Sequence, residues 1–317
     1  MAGQVWQVNA DGGYLANPKL SRQIRHAAQP MMKFRQFVRK EPAAGKGKGD
    51  TVDFNKISNV QTAGGSIAEL SKMPETKVLI RRGQLTIDEL GNSIPYTGKL
   101  DTLSEFSVDN IITKALRDDI AKVLDIEVAT AFTSTDLFFV PNSSTSGTFE
   151  NTLSTTGTNQ LNMSHVRQIV DAMKTGIFNS TLNPVPAWDG ENYICIASVK
   201  ALRGIKDDPD YEEVKKYADP DSLLTGEVGR IEGVRFIETN HTSALSNAKG
   251  SNSIGEAVIF GADPVIEGMA VPEEIRRKIP QDYGRDKGIG WYALLGYKLV
   301  WDRATDTEQH VVYVTSA

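Results

Sequence analysis

Apolar residues recur at steps of three and four through one long stretch, SEFSVDNIITKALRDDIAKVLDIEVATAF. Ile112, Leu116, Ile120, Val123 or Leu124, Val128 and Phe132 form one stripe, while Lys114, Arg117, Asp118, Lys122 and Asp125 lie on the other side. The spacing predicts an amphipathic helix, capped by Thr102 with Glu105 or by Ser104 and Ser107. At about 1.5 Å per residue over roughly 28 residues it would be about 40 Å long, well beyond the average globular helix.

Before this helix the pattern has a period of two. Val52, Phe54 and later Ile57 alternate in β-favouring company, and ETKVLIRRGQLTIDEL reads as two strand-like runs with Gly83 as a turn or bulge between them. The intervening ISNVQTAGGSIAELSKMPETKV is loop-like. So long an excursion with so few core residues has little of its own chain to pack on, which marks it for packing against another molecule. After the long helix, a Ser/Thr/Asn/Gly-rich stretch (142–162) leads to a shorter amphipathic helix with Val166, Ile169, Val170, Met173 and Ile177 inward. From Pro184 the pattern becomes α/β: NYICIAS, GVRFIETN and EAVIFGA read as strands, VKALRGI and DYEEVKKYAD as helices. GWYALLGYKLVWD and EQHVVYVTS, joined by a polar turn, read as a closing hairpin. Its Trp291, Leu295 and Leu299 share one strand face that would pack on Ile120 and its neighbours. No internal repeat is present.

Composition, 40% hydrophobic and 24% charged over 317 residues, is that of an ordered globular protein with one elaborate domain or two subdomains. The net charge of −5 conceals an uneven distribution. Between residues 12 and 40 the chain carries Lys19, Arg22, Arg25, Lys33, Arg35, Arg39 and Lys40 and no acid at all. Such a basic arm, punctuated by Pro30 and Pro42 and holding a short helix near Lys19–His26, suits contact with nucleic acid or with the acidic surface of a neighbouring copy. The sole cysteine, Cys195, lies in an apolar run and reads as a buried, inert thiol. No signal peptide and no apolar run near 18 residues is found, so the chain is expected to be soluble and made inside the cell. The sequons at Asn142, Asn179 and Asn240 then carry no glycosylation meaning.

Candidate chemistry fails test by test. In AAGKGKGDTVDF, Lys46 and Lys48 are each followed by glycine where a phosphate loop needs Ser or Thr, and the continuation is a strand rather than a helix. The glycines therefore read as a turn that launches a strand. His26, His165, His241 and His310 have no metal-ligand partners at helical spacing. DDPDYEE has Glu213 where a calcium loop begun at Asp208 needs glycine, and reads as helix capping. GIGWYALLG lacks the third glycine of a dinucleotide fingerprint, and no G-x-S-x-G elbow exists. No catalytic residue, metal or cofactor is implied, and no enzyme activity.

The order of these elements resembles the major capsid protein of tailed bacteriophages, the Hong-Kong-97-like fold, over essentially the whole chain. The resemblance is carried by GKGKGDTVDF, ETKVLIRRGQLTIDEL, DNIITKALRDDIAKVLDIEVATAF, YICIASVKALRGIKDDPDY and GWYALLGYKLVWD. It implies an α+β chain. Residues 1–50 would be the N-arm and 51–100 the E-loop with its flanking strands; 101–182 with 276–317 would be the peripheral (P) domain and 183–275 the axial (A) domain. Gly45, Gly47 and Gly49 would form the pivot between arm and loop. No local motif places the Lys–Asn isopeptide crosslink that some relatives use.

The function implied is structural: copies of the chain form hexamers and pentamers of an icosahedral shell around double-stranded DNA, assembled in the host cytoplasm. Scaffolding, portal and cement proteins are the other partners implied; DNA contact would be non-specific, and no membrane is involved. Lys72, Lys77, Arg81 and Arg82 on the loop, with Arg22, Arg25, Arg35 and Arg39 on the arm, are the expected intersubunit contacts. An encapsulin-like nanocompartment would share the fold but enclose protein cargo, and an α/β hydrolase would instead be a small oligomer with a concave polar pocket.

Overall fold

A computed structural model describes residues 30, 32–42, 49–57, 64–69, 71–78, 80–152, 159–178, 180–218, 229–246, 254–280 and 282–317. The strands are β1 (Arg39–Pro42), β2 (Thr51–Ile57), β3 (Ile80–Thr86), β4 (Asp88–Thr97), β5 (Phe138–Pro141), β6 (Gly147–Glu150), β7 (Tyr193–Ser198), β8 (Arg230–Ile231), β9 (Val234–Thr239), β10 (Gly255–Phe260), β11 (Val265–Arg277), β12 (Asp286–Leu299) and β13 (Val311–Ser316). The principal helices are α1 (Gly98–Leu103), α2 (Val108–Thr133), α3 (Met163–Thr175), α4 (Arg203–Lys206) and α5 (Pro209–Ala218).

The strands make three separate sheets. One has four strands in the order β1-β11-β12-β4, a second has seven in the order β6-β5-β13-β10-β7-β9-β8, and β2 pairs only with β3.

The seven-stranded sheet is covered on both faces, which is why its central strands read as continuous apolar runs rather than as alternation. Cys195, Ala197, Ala257, Ile259, Val312 and Val314 point to one side, against Val166, Ile169, Val170 and Met173 of α3. Ile194, Ile196, Val258, Phe260, Val311 and Tyr313 point to the other, against Val128 and Phe132 at the end of α2. Burial raises the Cys195 thiol well above its ordinary range, so it is inert as expected.

Helix α2 belongs to both sheets. Its first turns put Val108, Ile112, Leu116 and Leu124 on Ile289, Trp291, Ala293 and Leu295 of β12, and its last turns reach the seven-stranded sheet. Asp119 fixes the crossing by accepting hydrogen bonds from Trp291 Nε1 (2.8 Å) and Asn92 Nδ2 (2.9 Å). The helical stripe read from sequence is thus the buried face, with Ile120 and Val123 half-buried at its margin.

Six sequence expectations change. Ile177, expected inward, lies beyond the end of α3 and is 65% exposed, and Asp125, expected on the polar side of the long helix, is buried at 1% exposure. The helix starts at Val108 after Ser107, which makes no side-chain cap bond; Thr102 lies within α1, whose own N-cap is Thr97, so the Thr102–Glu105 box does not form. Gly83 lies inside β3, opposite Phe54, and a Cβ there would sit 2.3 Å from the Phe54 ring. The glycine makes room for the aromatic, and the break between strands falls at Ile87 instead. The closing hairpin does not form either: β12 pairs with β11 and β4, while β13 lies between β10 and β5 in the other sheet. Leu299 accordingly parts from Trp291 and Leu295 and packs on the Phe260–Tyr313 cluster. Strand pairing also cuts across the sequence boundaries, because β11 from the end of 183–275 joins β12, and β13 from 276–317 joins β10.

Asp208, from the acidic run, has the capping role expected of it. Its carboxylate accepts from Asp210 N at 3.0 Å and from Met163 N, at the start of α3, at 3.1 Å.

Candidate intersubunit surfaces

The β2–β3 ribbon alternates strictly between two faces. Cross-strand partners Val52–Leu85, Phe54–Gly83 and Lys56–Arg81 face the body, and Asp53–Gln84, Asn55–Arg82 and Ile57–Ile80 face away. Arg81 and Arg82, neighbours in sequence, therefore serve opposite faces. Arg81 approaches Asp306 at 4.0 Å, whereas Arg82 is exposed and pairs with Asp53. Arg81 thus has an acidic neighbour in its own chain, while Arg82 stays on the outer face.

The ribbon roots in a gap left by two glycines. Gly268 of β11 and Gly296 of β12 are direct register partners. A Cβ at 268 would lie 2.3 Å from Leu85 Cδ2, and one at 296 would lie 2.1 Å from the Thr86 carbonyl oxygen. Leu85, 1% exposed, fills the space that side chains would otherwise occupy. Ile87 N donates to Asp50 O at 2.8 Å and closes the root.

Further out the ribbon has no cover. Ile57, Ile67, Met73, Val78 and Ile80 are 45–71% exposed and make up five of the nine exposed large hydrophobics among the described residues. Lys72 and Lys77 lie among them, exposed, with Lys72 beside Glu75 at 2.9 Å. Exposed apolar side chains gathered on one projection are what a contact surface would require.

The end of the arm is stitched to its own body. β1 runs parallel to β11, from Arg39 beside Ile266 to Pro42 beside Met269. Phe34 is fully buried against Phe132, and its N–H donates to Asp125 Oδ1 (2.8 Å), whose Oδ2 meets His241 Nδ1 (3.3 Å). Arg35 grips Glu273 with both ends of its fork (2.7 and 3.0 Å) and reaches Glu267 at 3.0 Å. Burial alone would lower the Arg35 guanidinium, but the bonds to Glu273 and Glu267 outweigh it, and the same contact holds the Glu273 carboxyl below its ordinary value. Arg39 lies 3.4 Å from Asp263 and 3.6 Å from Glu41. The acids that neutralise these two arginines are thus in the same chain. Arg22, Arg25, Gly45 and Gly47 lie outside the described residues; Gly49, at φ +86°, holds a left-handed turn just before β2.

Nothing in the sequence marked Asp306, Glu267 or the Gly268–Gly296 pair, since each matters only through a partner distant in the chain. Among the described residues no group of three or more His, Cys, Asp or Glu could hold a metal ion, and no helix is long and apolar enough to cross a membrane.

The model of the phage capsid family matches residues 12–131, from the arm to nearly the end of α2. No curated protein matches. Among solved structures, the acid-stable capsid of Helicobacter pylori bacteriophage KHP30 superposes with a TM-score of 0.73, covering 100% of both chains at 14% identity. The head structure of Helicobacter pylori bacteriophage KHP40 gives 0.71 over 95% of each chain at 16% identity. The capsid of Ralstonia phage GP4 gives 0.65 over 95% of this chain and 96% of that one, at 14% identity. At such identities the likeness is one of fold: the chain is α+β, with the Hong-Kong-97-like architecture expected from the order of its elements.

Proposed function

We propose that this chain is the major capsid protein of a tailed phage, a structural subunit whose copies close into an icosahedral shell around double-stranded DNA. The observation that carries the reading is the agreement of fold along the full length of the chain with the KHP30 capsid subunit. The exposed apolar ribbon supports it, because such a surface is stabilised only by burial against a neighbour.

In this reading the ribbon is the E-loop. The four-stranded sheet with the first turns of α2 is the peripheral domain, and the seven-stranded sheet with α3–α5 is the axial domain. Lys72, Lys77 and Arg82 meet acidic groups of the adjacent subunit, and Arg22 and Arg25 are assigned the same kind of contact from their charge alone. Hexamers and pentamers of the chain form the shell wall, joined during assembly by scaffolding, portal and cement proteins.

Expression followed by negative-stain electron microscopy tests the reading. Closed shells, or capsomers that close on addition of scaffold, are expected; monodisperse monomer under all assembly conditions overturns it. The 260/280 nm absorbance ratio of particles from infected cells separates a genome container from a shell that holds only protein cargo. Replacing Lys72 and Lys77 together with Glu is expected to slow assembly several-fold at low salt and to have little effect near 1 M salt, where charge pairing is screened. Light scattering across a salt series reads this directly, and a salt-independent defect would assign the two lysines a different role.

A further inference from the structure

We propose that Asp306 is the positioning residue that sets the angle at which the ribbon leaves the body. The ribbon shares no strand pairing with either large sheet, so its orientation rests on contacts at its body-facing side. The Leu85 root in the Gly268–Gly296 gap supplies one. A single root is a pivot, and an angle requires a second fixed point.

Lys56 and Arg81 provide it. They are direct cross-strand partners, and two cations opposed in this way repel each other unless a shared anion lies between them. Asp306 is that anion. Its Oδ2 accepts from Lys56 Nζ and from Asp302 N (3.0 Å), and its Oδ1, otherwise without a hydrogen bond, faces Arg81 Nη1 at 4.0 Å. The carboxylate is 2% exposed and Lys56 8%, with the Lys56 ammonium 5.9 Å from the centre of the Trp301 ring. Charges so buried are tolerated only when paired, so the cluster has one low-energy arrangement rather than many.

Its place in the fold gives it leverage. Asp306 belongs to the body, on the short helix Arg303–Asp306, whose start Asp302 caps through Ala304 N at 2.8 Å. Arg81 lies four residues out from Leu85 along β3, about 13 Å at the rise of a strand. Root and carboxylate together are two points on a line, and they define a direction for the exposed tip. Nothing in this requires the subunit to be assembled, so its test is independent of the proposed function.

Spin labels at Met73→Cys and Lys174→Cys, both exposed, report the distance from ribbon tip to body, and buried Cys195 stays unlabelled. In the unassembled labelled parent the distance distribution is expected to be narrow. Asp306→Asn should at least double its width while the melting temperature of the body stays within a few degrees. Lys56→Met with Arg81→Met, which alters no residue of the body, should broaden it likewise and serves if Asp306→Asn fails to fold. Distributions as narrow as the parent's in the variants that fold would overturn the proposal and leave the glycine-lined root as the sole determinant.

Discussion

Leu116→Ala is expected to lower the unfolding free energy of the unassembled subunit by about 2–5 kcal/mol, and Lys114→Ala by less than about 0.5 kcal/mol. The two residues are neighbours on α2 but lie on opposite sides of it. Leu116 is 1% exposed within the cluster that joins the helix to Trp291 and Leu295, and Lys114 is exposed. Truncating Leu116 leaves a cavity between two rigid elements that cannot readily close it. The loss extends beyond the four-stranded sheet, because the same helix carries Val128 and Phe132 into the other core. Thermal unfolding of the two variants, followed by circular dichroism, measures the difference. Equal, negligible losses would mean that α2 is not the spine of the subunit.

Placing Asp at Ile67, Met73 and Val78 together is expected to abolish shell formation at protein concentrations at least 100-fold above the wild-type threshold. All three are 45–71% exposed in the subunit, so the substitutions should cost the isolated fold little. In a shell each would bring an unpaired carboxylate into an apolar contact, at several kcal/mol apiece after relaxation. Each would also remove a side chain worth about 1.5–3 kcal/mol on full burial. In the proposed shell the contact would repeat at every subunit, so the penalty would accumulate. Size-exclusion chromatography with light scattering checks the outcome. Wild-type shells from a well-folded triple variant would place the ribbon tip in solvent and remove it from the assembly interface.

What could be read from the sequence was whatever repeats locally. The stripe from Ile112 to Phe132 names its own period, and runs such as YICIAS and EAVIFGA announce strands buried on both faces. The excursion was recognised by what it lacked, a core of its own. Partnership was the missing quantity. β12 and β13 each look like a strand, but adjacency in sequence suggested pairing, whereas apolar faces over eleven other strands decided it. Charge counting found the arginines of the arm and loop but not their acids: Glu267 and Glu273 lie more than two hundred residues from Arg35, and Asp306 lies as far from Arg81. Gly83 was visible as an interruption, though only the Phe54 ring opposite explains it. Arg81 and Arg82 could have been separated by strand alternation alone, had their direction relative to the body been known.

The place of β13 has a consequence for how the protein is made. The strand follows all its sheet partners in sequence, yet it sits between β5 and β10, near the middle of the seven-stranded sheet. A nascent chain therefore emerges from the ribosome with β5 waiting for a neighbour that is still untranslated. At about 5–20 residues per second, the wait from Pro141 to Val311 is on the order of ten seconds or more. Pairings so distant in sequence are slow to close in any case. Until Val311–Ser316 arrive, neither apolar layer of that sheet is complete, and a chain interrupted upstream has no finished body on which to mount its ribbon. Such a chain leaves β5 and β10 without the neighbour they share, and the side chains of Val311 to Val314 are missing from both cores.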